Sequence, residues 1–114
     1  MKIVDKTAER DRQEREKKGR FEGVCSLADK VFGRERVECS GRKIVGSDPY
    51  RSIYVDFVHQ SGPINCSVEI EVGHGVEVRV HNEESYSEAR RFGEEVEGRL
   101  KEEVILNHNY PRNH

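Results

Sequence analysis

The side chains that could do chemistry in this chain begin with three cysteines, Cys25, Cys39 and Cys66. None lies in a Cys-x-x-Cys pair, so the spacing that is typical of zinc sites and redox motifs is absent. Each cysteine is in phase with apolar neighbours, as Cys39 is with Val37 and Cys66 is with Val68. Because a buried cysteine behaves as a small apolar residue, we expect these three in the core and predict neither a metal site nor a cofactor.

The histidines are the next candidates, and two of them accompany predicted strands. His59 continues the inward phase of its strand, whereas His81 is out of phase and is predicted to be solvated. No His-x-x-x-His or His-Glu-x-x-His spacing occurs, which removes the usual zinc-protease pattern. The side chains that an enzyme could use here as acid or base are Asp56, His59 and His81.

Residues 66–72 and 76–80 alternate apolar and polar side chains and predict a β-hairpin. Both segments place their apolar residues at even positions, so facing residues must have numbers whose sum is even. A three-residue loop between them satisfies this condition, because it sets Val72 opposite Val76. A two-residue loop would set Val72 opposite Glu77 and mix the two faces.

The same register creates an acid-rich surface on the polar side of the hairpin. It sets Glu71 opposite Glu77, and like charges that face each other destabilise a sheet. We therefore expect water and salt, a cation or a basic segment to screen these two glutamates. The candidate binding residues of this surface, which we call the acidic sheet face, are Tyr54, Asp56, Glu69, Glu71, Glu77 and Arg79.

Residues 1–20 form a charged arm with eight Lys or Arg residues and five acids. The residue types favour helix, but a helix that is polar on every side has nothing to bury. We expect the arm to be helical or frayed and to end at Gly19. Its basic side chains, which could screen the acidic sheet face or contact phosphates, are Arg10, Arg12, Arg15, Lys17, Lys18 and Arg20.

The overall charge is nearly balanced, since 37% of the residues are charged but the net charge is −2. No global field therefore draws the chain toward nucleic acid or a membrane. No apolar run approaches the roughly 20 residues that span a bilayer, and the N-terminus lacks a signal-peptide core, so we expect a cytoplasmic protein. The charges are mostly Glu and Arg, a composition that points toward a thermophilic source.

Segments of helical period flank the strands. Apolar residues recur with i, i+3, i+4 spacing between Phe21 and Phe32 and again between Ala89 and Val104. Ser85 and Glu88 have the spacing of a capping box, which predicts where the second of these helices begins. Both apolar stripes should cover the same face of the sheet.

The predicted fold is α+β: a two-layer, four-stranded antiparallel meander with flanking helices on one face, in the order α-β-β-β-β-α, after a charged N-terminal arm. We divide the chain into the arm (1–20), a single domain (21–106) and a polar tail (107–114).

We interpret the chain as a non-catalytic protein-interaction or homodimerising module, whose partner is itself or another protein. The absence of a catalytic constellation and the opposite charges of the arm and the acidic sheet face support this interpretation. The alternative is a nucleic-acid-binding accessory protein, and a small enzyme is the third hypothesis. The residues that would contact nucleic acid, in addition to the arm, are Arg34, Arg36, Arg42 and Lys43.

Overall fold

The computed structural model describes residues 5–39, 50–57 and 66–111. The elements, in chain order, are α1 (Lys6–Phe32), β1 (Val37–Glu38), β2 (Ser52–Val55), β3 (Val68–Val72), β4 (Val76–Val80), α2 (Tyr86–Leu100) and β5 (Val104–His108). Short 3-10 turns precede β1 and α2. The protein is therefore α+β, as its sequence predicts.

The arm and the first packed helix are one continuous helix, so the predicted break at Gly19 is wrong. Asp5 caps α1 by accepting from the backbone N–H groups of the second and third residues after it, and the helix ends at Gly33 with a φ of 98°. A single glycine costs a helix only about 1 kcal/mol, and the residues on both sides of Gly19 favour helix. Glycine ends a helix where a positive φ is required, which is the case at Gly33.

Within the described residues the sheet has five strands in the order β1-β2-β3-β4-β5, and not the four that the sequence predicts. The first three pairings are antiparallel, whereas β4 and β5 are parallel. The predicted hairpin register is confirmed, with Val72 opposite Val76 and Glu71 opposite Glu77.

The fifth strand is formed by residues that the sequence analysis assigned to the last helix and the polar tail. The helix α2 ends at Leu100 because Lys101 adopts a left-handed conformation with a φ of 55°. Val104 falls on the helical spacing by coincidence, since Val104, Ile105 and Leu106 are consecutive apolar residues that one face of a helix cannot hold. The crossover through α2 returns the chain to the edge of β4, which explains the parallel pairing.

The start of α2 also differs from the capping box that the sequence predicts. Ser85 is buried, and its N–H and hydroxyl groups both donate to the Asn82 side chain, at 2.9 and 2.7 Å. A 3-10 turn at Glu83–Ser85 directly precedes α2, so the first N–H groups that need a capping partner belong to this turn and not to the first residues of α2. Asn82 therefore takes the capping role.

The core lies between the two helices and one face of the sheet. The even-numbered residues of β3 and β4 are buried there, against the second half of α1 and the apolar stripe of α2. The largest fully buried side chains are Phe21, Phe92, Ile53, Ile70, Val24, Val55, Val68, Val76, Val78, Val80 and Val96. Residues 6–19 of α1 lie beyond this core and are exposed.

Candidate functional site

The acidic sheet face is neutralised mainly by Arg79, which lies among its three glutamates. The guanidinium Nη2 donates to Glu71 at 2.7 Å and Nε donates to Glu77 at 3.1 Å, while Nη1 lies 3.4 Å from Glu69. Diagonal neighbours on a sheet are within reach of a side chain as long as arginine. The conflict between Glu71 and Glu77 that the register implies is therefore relieved by a cation on the same face.

A second cation, Arg51, contacts this cluster from the turn before β2. Its Nε donates to Glu71 at 2.7 Å. Burial alone would raise the pKa of Glu71, but hydrogen bonds from Arg79 and Arg51 hold that pKa below its ordinary value. The screening thus comes from two arginines of the strands and their turns. Sequence analysis missed Arg51, because that residue lies outside the alternating pattern.

Tyr54 and Asp56 have different surroundings from the glutamates. Tyr54 lies opposite Glu69 but is only 8% exposed, and its ring centroid is 5.4 Å from that of Phe57. Asp56 follows β2 with a φ of 56° and accepts hydrogen bonds from Arg36 at 2.9 and 2.7 Å. The Arg36 guanidinium lowers the pKa of Asp56. Asp56 therefore belongs to a separate ion pair.

The residues proposed for catalysis make hydrogen bonds to different partners. His81 Nε2 lies 3.3 Å from Glu69, and its Nδ1 lies 3.2 Å from the Asn109 amide nitrogen. Asp56 accepts from Arg36 and, at 2.9 Å, from the hydroxyl of Ser67. His59 lies outside the described residues. The described part of the chain thus gives no direct His81–Asp56 contact on which acid–base chemistry could be built.

The cysteines lie in or against the core, as predicted. Cys25 and Cys66 are buried, and Cys39 is partly buried against the same cluster. Burial raises the pKa of Cys66 to about 12. A hydrogen bond with Cys39, together with burial, raises the pKa of Cys25. Among the described residues, no group of three or more Cys, His, Asp or Glu side chains is arranged to hold a metal ion.

A cavity of about 380 Å³ lies between α1 and the end of the sheet, and is lined by Lys17, Arg20, Tyr50, Arg51, Val72, Gly73 and His74. Both of its arginines are engaged by acids. Arg20 donates to the two carboxylate oxygens of Glu102 at 2.6 and 2.8 Å, and also to the Gly73 carbonyl. Since Arg51 is held by Glu71, the cavity carries less positive charge than its lining suggests.

The remaining basic candidates are dispersed. Arg12 pairs with Glu9 at 3.4 Å on the exposed part of α1, where Arg10, Arg15 and Lys18 also lie. Arg34 is exposed, whereas Arg36 is bound by Asp56 and by Glu88 at 2.9 Å. The last two, Arg42 and Lys43, lie outside the described residues.

The feature that sequence analysis missed is the edge of β5 that faces away from β4, which we call the β5 edge. The N–H of Val76 donates to the Glu103 carbonyl, and the N–H of Asn109 donates to the Val80 carbonyl, both at 2.8 Å. Hydrogen-bonding direction alternates along a strand, so the odd-numbered residues of β5 bond to β4. The N–H and C=O groups of its even-numbered residues, Val104, Leu106 and His108, therefore point away from β4.

Apolar side chains accompany this open backbone. Ile105 is 54% exposed and is the one large apolar side chain that is exposed among the described residues. A groove of about 260 Å³ runs along the β5 edge beside α2, and is lined by Arg90, Gly93, Glu94, Glu97, Val104 and Leu106. The strand itself contains no Asp, Glu, Lys or Arg. The three consecutive apolar residues were the available signal for this edge.

Comparisons of the chain with protein-family models, with curated proteins and with solved structures found no match. In the described segments neither helix has the apolar length that a bilayer crossing requires.

Proposed function

We propose that this chain is a non-catalytic protein-interaction module, which binds its partner by accepting an extended segment along the β5 edge. The observation that carries the proposal is the row of backbone groups at Val104, Leu106 and His108 that point away from β4. A partner strand that pairs with such an edge gains main-chain hydrogen bonds, and adjacent pockets select its side chains.

The composition of the β5 edge supports this role. Exposed edges are usually protected by Lys, Pro, bulges or very short strands. The five residues of β5 contain neither Lys nor Pro, and their pairing with β4 runs from Val104 to His108 without a bulge. The groove beside Gly93 would receive apolar side chains of the added strand, and Ile105 would contact it on the opposite face.

The experiment is fluorescence anisotropy of a fluorescein-labelled peptide of alternating Thr and Val, titrated with the full chain. Leu106→Pro removes an outward N–H that β4 does not use, so it should weaken binding at least about tenfold while the fold persists. Leu106→Ala is the matched control, because it removes the side chain but keeps the N–H. Equal binding by the proline variant and by the wild type would overturn the proposal.

A second candidate function is nucleic-acid binding through α1. Lys17, Arg20 and Arg51 line a concave surface there, and phosphates would have to displace Glu102 and Glu71 from the two arginines to bind it. Retention of mixed-sequence RNA or DNA at low salt, lost steeply as salt rises, would favour this function. No retention at low salt would end it.

A further inference from the structure

We infer that the segment accepted by the β5 edge is β5 of a second copy of this chain, paired antiparallel about a two-fold axis through Ile105. This inference rests on the proposed function and names its partner. The dimer would join two five-stranded sheets into one continuous sheet of ten strands. Its interface is isologous, because each copy offers the same strand and the same face of α2.

Hydrogen-bonding direction restricts the registers that two copies can adopt. The outward backbone groups belong to even-numbered residues, so even positions must face even positions across the axis. The axis must therefore pass through a residue and not between two residues. Three registers pair at least three of the five β5 residues with β5 of the second copy, and their axes lie at Ile105, Leu106 and Asn107.

The register centred on Ile105 matches side chains on both faces of the joined sheet. On the core side, Val104 of one copy faces Leu106 of the second copy, so apolar residues continue the core across the axis. On the other side, Ile105 meets Ile105 of the second copy as a non-hydrogen-bonded pair, the closer of the two antiparallel pair types. The one large apolar side chain that is exposed among the described residues is thereby covered.

The other two registers leave mismatches. An axis at Asn107 would set Ile105 opposite Asn109 of the second copy, and would thus place an amide against the apolar residue. An axis at Leu106 would set Ile105 opposite Asn107 of the second copy and would leave both isoleucines unmatched. Apolar and polar residues facing each other gain less than matched apolar pairs.

Charges on α2 are complementary in the Ile105 register. The helix is antiparallel to β5, since Gly93 lies against Val104 while the Tyr86 and His108 rings stack with centroids 4.7 Å apart. Ile105 is therefore level with the part of α2 between Arg90 and Glu94. A two-fold axis there brings Arg90 of one copy near Glu94 of the second copy.

Arg90 and Glu94 are available for this exchange. They form an ion pair within α2 at 3.3 Å, in which both side chains are more than 60% exposed. Exposed pairs of this kind contribute little to the stability of a single chain. Exchanging partners across the axis costs little, and it places opposite charges on either side of the groove.

The test uses full-length chains and native mass spectrometry, with sedimentation velocity between about 5 μM and 1 mM, a range that covers weak dimers. Arg90→Glu and Glu94→Arg should each weaken the homodimer by at least about tenfold, because like charges then meet across the axis. An equimolar mixture of the two variants should form the heterodimer in excess of the statistical proportion. Single variants that dimerise as tightly as the wild type, or a mixture with only the statistical proportion of heterodimer, would overturn the inference.

The matched control is Arg99→Glu mixed with Glu95→Arg. These residues form the same type of i, i+4 ion pair on α2, at 2.5 Å, but on a different side of the helix. Neither single substitution should weaken the dimer, and their mixture should give the statistical proportion of heterodimer. A preference for the heterodimer in this control would contradict the proposed interface.

A second pair of variants tests the position of the axis. Ile105→Lys and Ile105→Asp each place like charges opposite each other in a homodimer, whereas their mixture pairs opposite charges. Preferential heterodimer formation is expected, and its absence would exclude the Ile105 register. A wild-type chain that stays monomeric at the highest concentration but still binds the Thr-Val peptide would refute the homodimer and retain the proposed function. Loss of both would refute the two together.

Discussion

At the scale of single residues, the sheet resolves a conflict that its register creates. The pairing of Glu71 with Glu77 follows from the sequence alone, and the structure has it. The position of the Arg79 guanidinium among three carboxylates does not follow, because it depends on the conformation of a long side chain. The contact between Arg51 and Glu71 could not be predicted from the residue pattern either, since the two residues lie in different segments of the chain.

Replacing Arg79 tests whether it neutralises this cluster. Arg79→Met should lower the free energy of unfolding by about 1–3 kcal/mol, because it leaves three partly buried carboxylates with fewer hydrogen-bond donors. Adding Glu77→Gln should recover part of the loss by removing the like charge opposite Glu71. Urea denaturation measures both effects, with Arg99→Met as an exposed control that should change stability by less than about 0.5 kcal/mol. An equal loss in the control would contradict this role.

The buried thiol of Cys66 should make the stability of the folded chain depend on pH in the alkaline range. Burial raises its pKa from 9.0 to about 12 in the folded chain. Between these two values the unfolded chain loses the proton while the folded chain keeps it, so stability falls as the pH rises through this window. The thiol contributes a slope of at most about 1.4 kcal/mol per pH unit.

Cys66→Val removes this contribution. The unfolding free energy of the variant, measured by urea denaturation, should therefore fall less steeply above about pH 9 than that of the wild type. Below that pH the two profiles should run parallel, which serves as the internal control. Parallel profiles over the whole range would show that the folded chain does not hold this thiol protonated.

At the scale of elements, the residue pattern predicted both helices and the strands of the central hairpin, but it did not predict all of their first and last residues. The strands of the central hairpin follow from strict alternation. The fifth strand did not, because Val104 matched the helical stripe of α2 and the pairing partner of β5 lies across a crossover. The continuity of α1 through Gly19 was also missed, since a glycine signals an end only where the backbone needs a positive φ.

The two glycines of the loop between β3 and β4 should respond differently to substitution by alanine. A Cβ at Gly75 would lie 2.9 Å from the Glu103 carbonyl oxygen, whereas one at Gly73 would have nothing within 4 Å. Gly75→Ala should therefore destabilise the chain by about 1–3 kcal/mol, because backbone must move to admit the methyl group. Gly73→Ala is the matched control and should change the melting temperature little. Equal effects would contradict the close approach of the Glu103 backbone to this loop.

Substitutions at Arg20 and Arg12 compare the packed part of α1 with its exposed part, residues 6–19. Arg20 donates two hydrogen bonds to the Glu102 carboxylate and one to the Gly73 carbonyl. Arg20→Ala should therefore lower the free energy of unfolding by about 1–3 kcal/mol, because it leaves a partly buried carboxylate unpaired. Arg12→Ala removes the exposed pair with Glu9 and should cost less than about 0.5 kcal/mol. Thermal unfolding compares the two variants, and a larger effect at Arg12 would mean that the exposed half is packed.

At the scale of the whole molecule, the sheet offers two surfaces outside the core, and they differ in chemistry. The acidic sheet face satisfies its own charges through Arg79 and Arg51. The β5 edge leaves backbone groups and Ile105 without partners among the described residues. The sequence drew attention to the first surface because charge is visible in a pattern. The second depends on which strand lies at the edge, and only the assembled sheet determines that.

The most direct test of the β5 edge is amide hydrogen exchange in the full chain, followed by NMR at low and at high protein concentration. In dilute solution the amides of Leu106 and His108 should exchange much faster than those of Ile105 and Asn107, which bond to β4. Raising the concentration should slow Leu106 and His108 selectively, as a second strand pairs with them. Uniform protection along β5 in dilute solution would contradict the open β5 edge, and exchange that does not depend on concentration would contradict its pairing with a second copy.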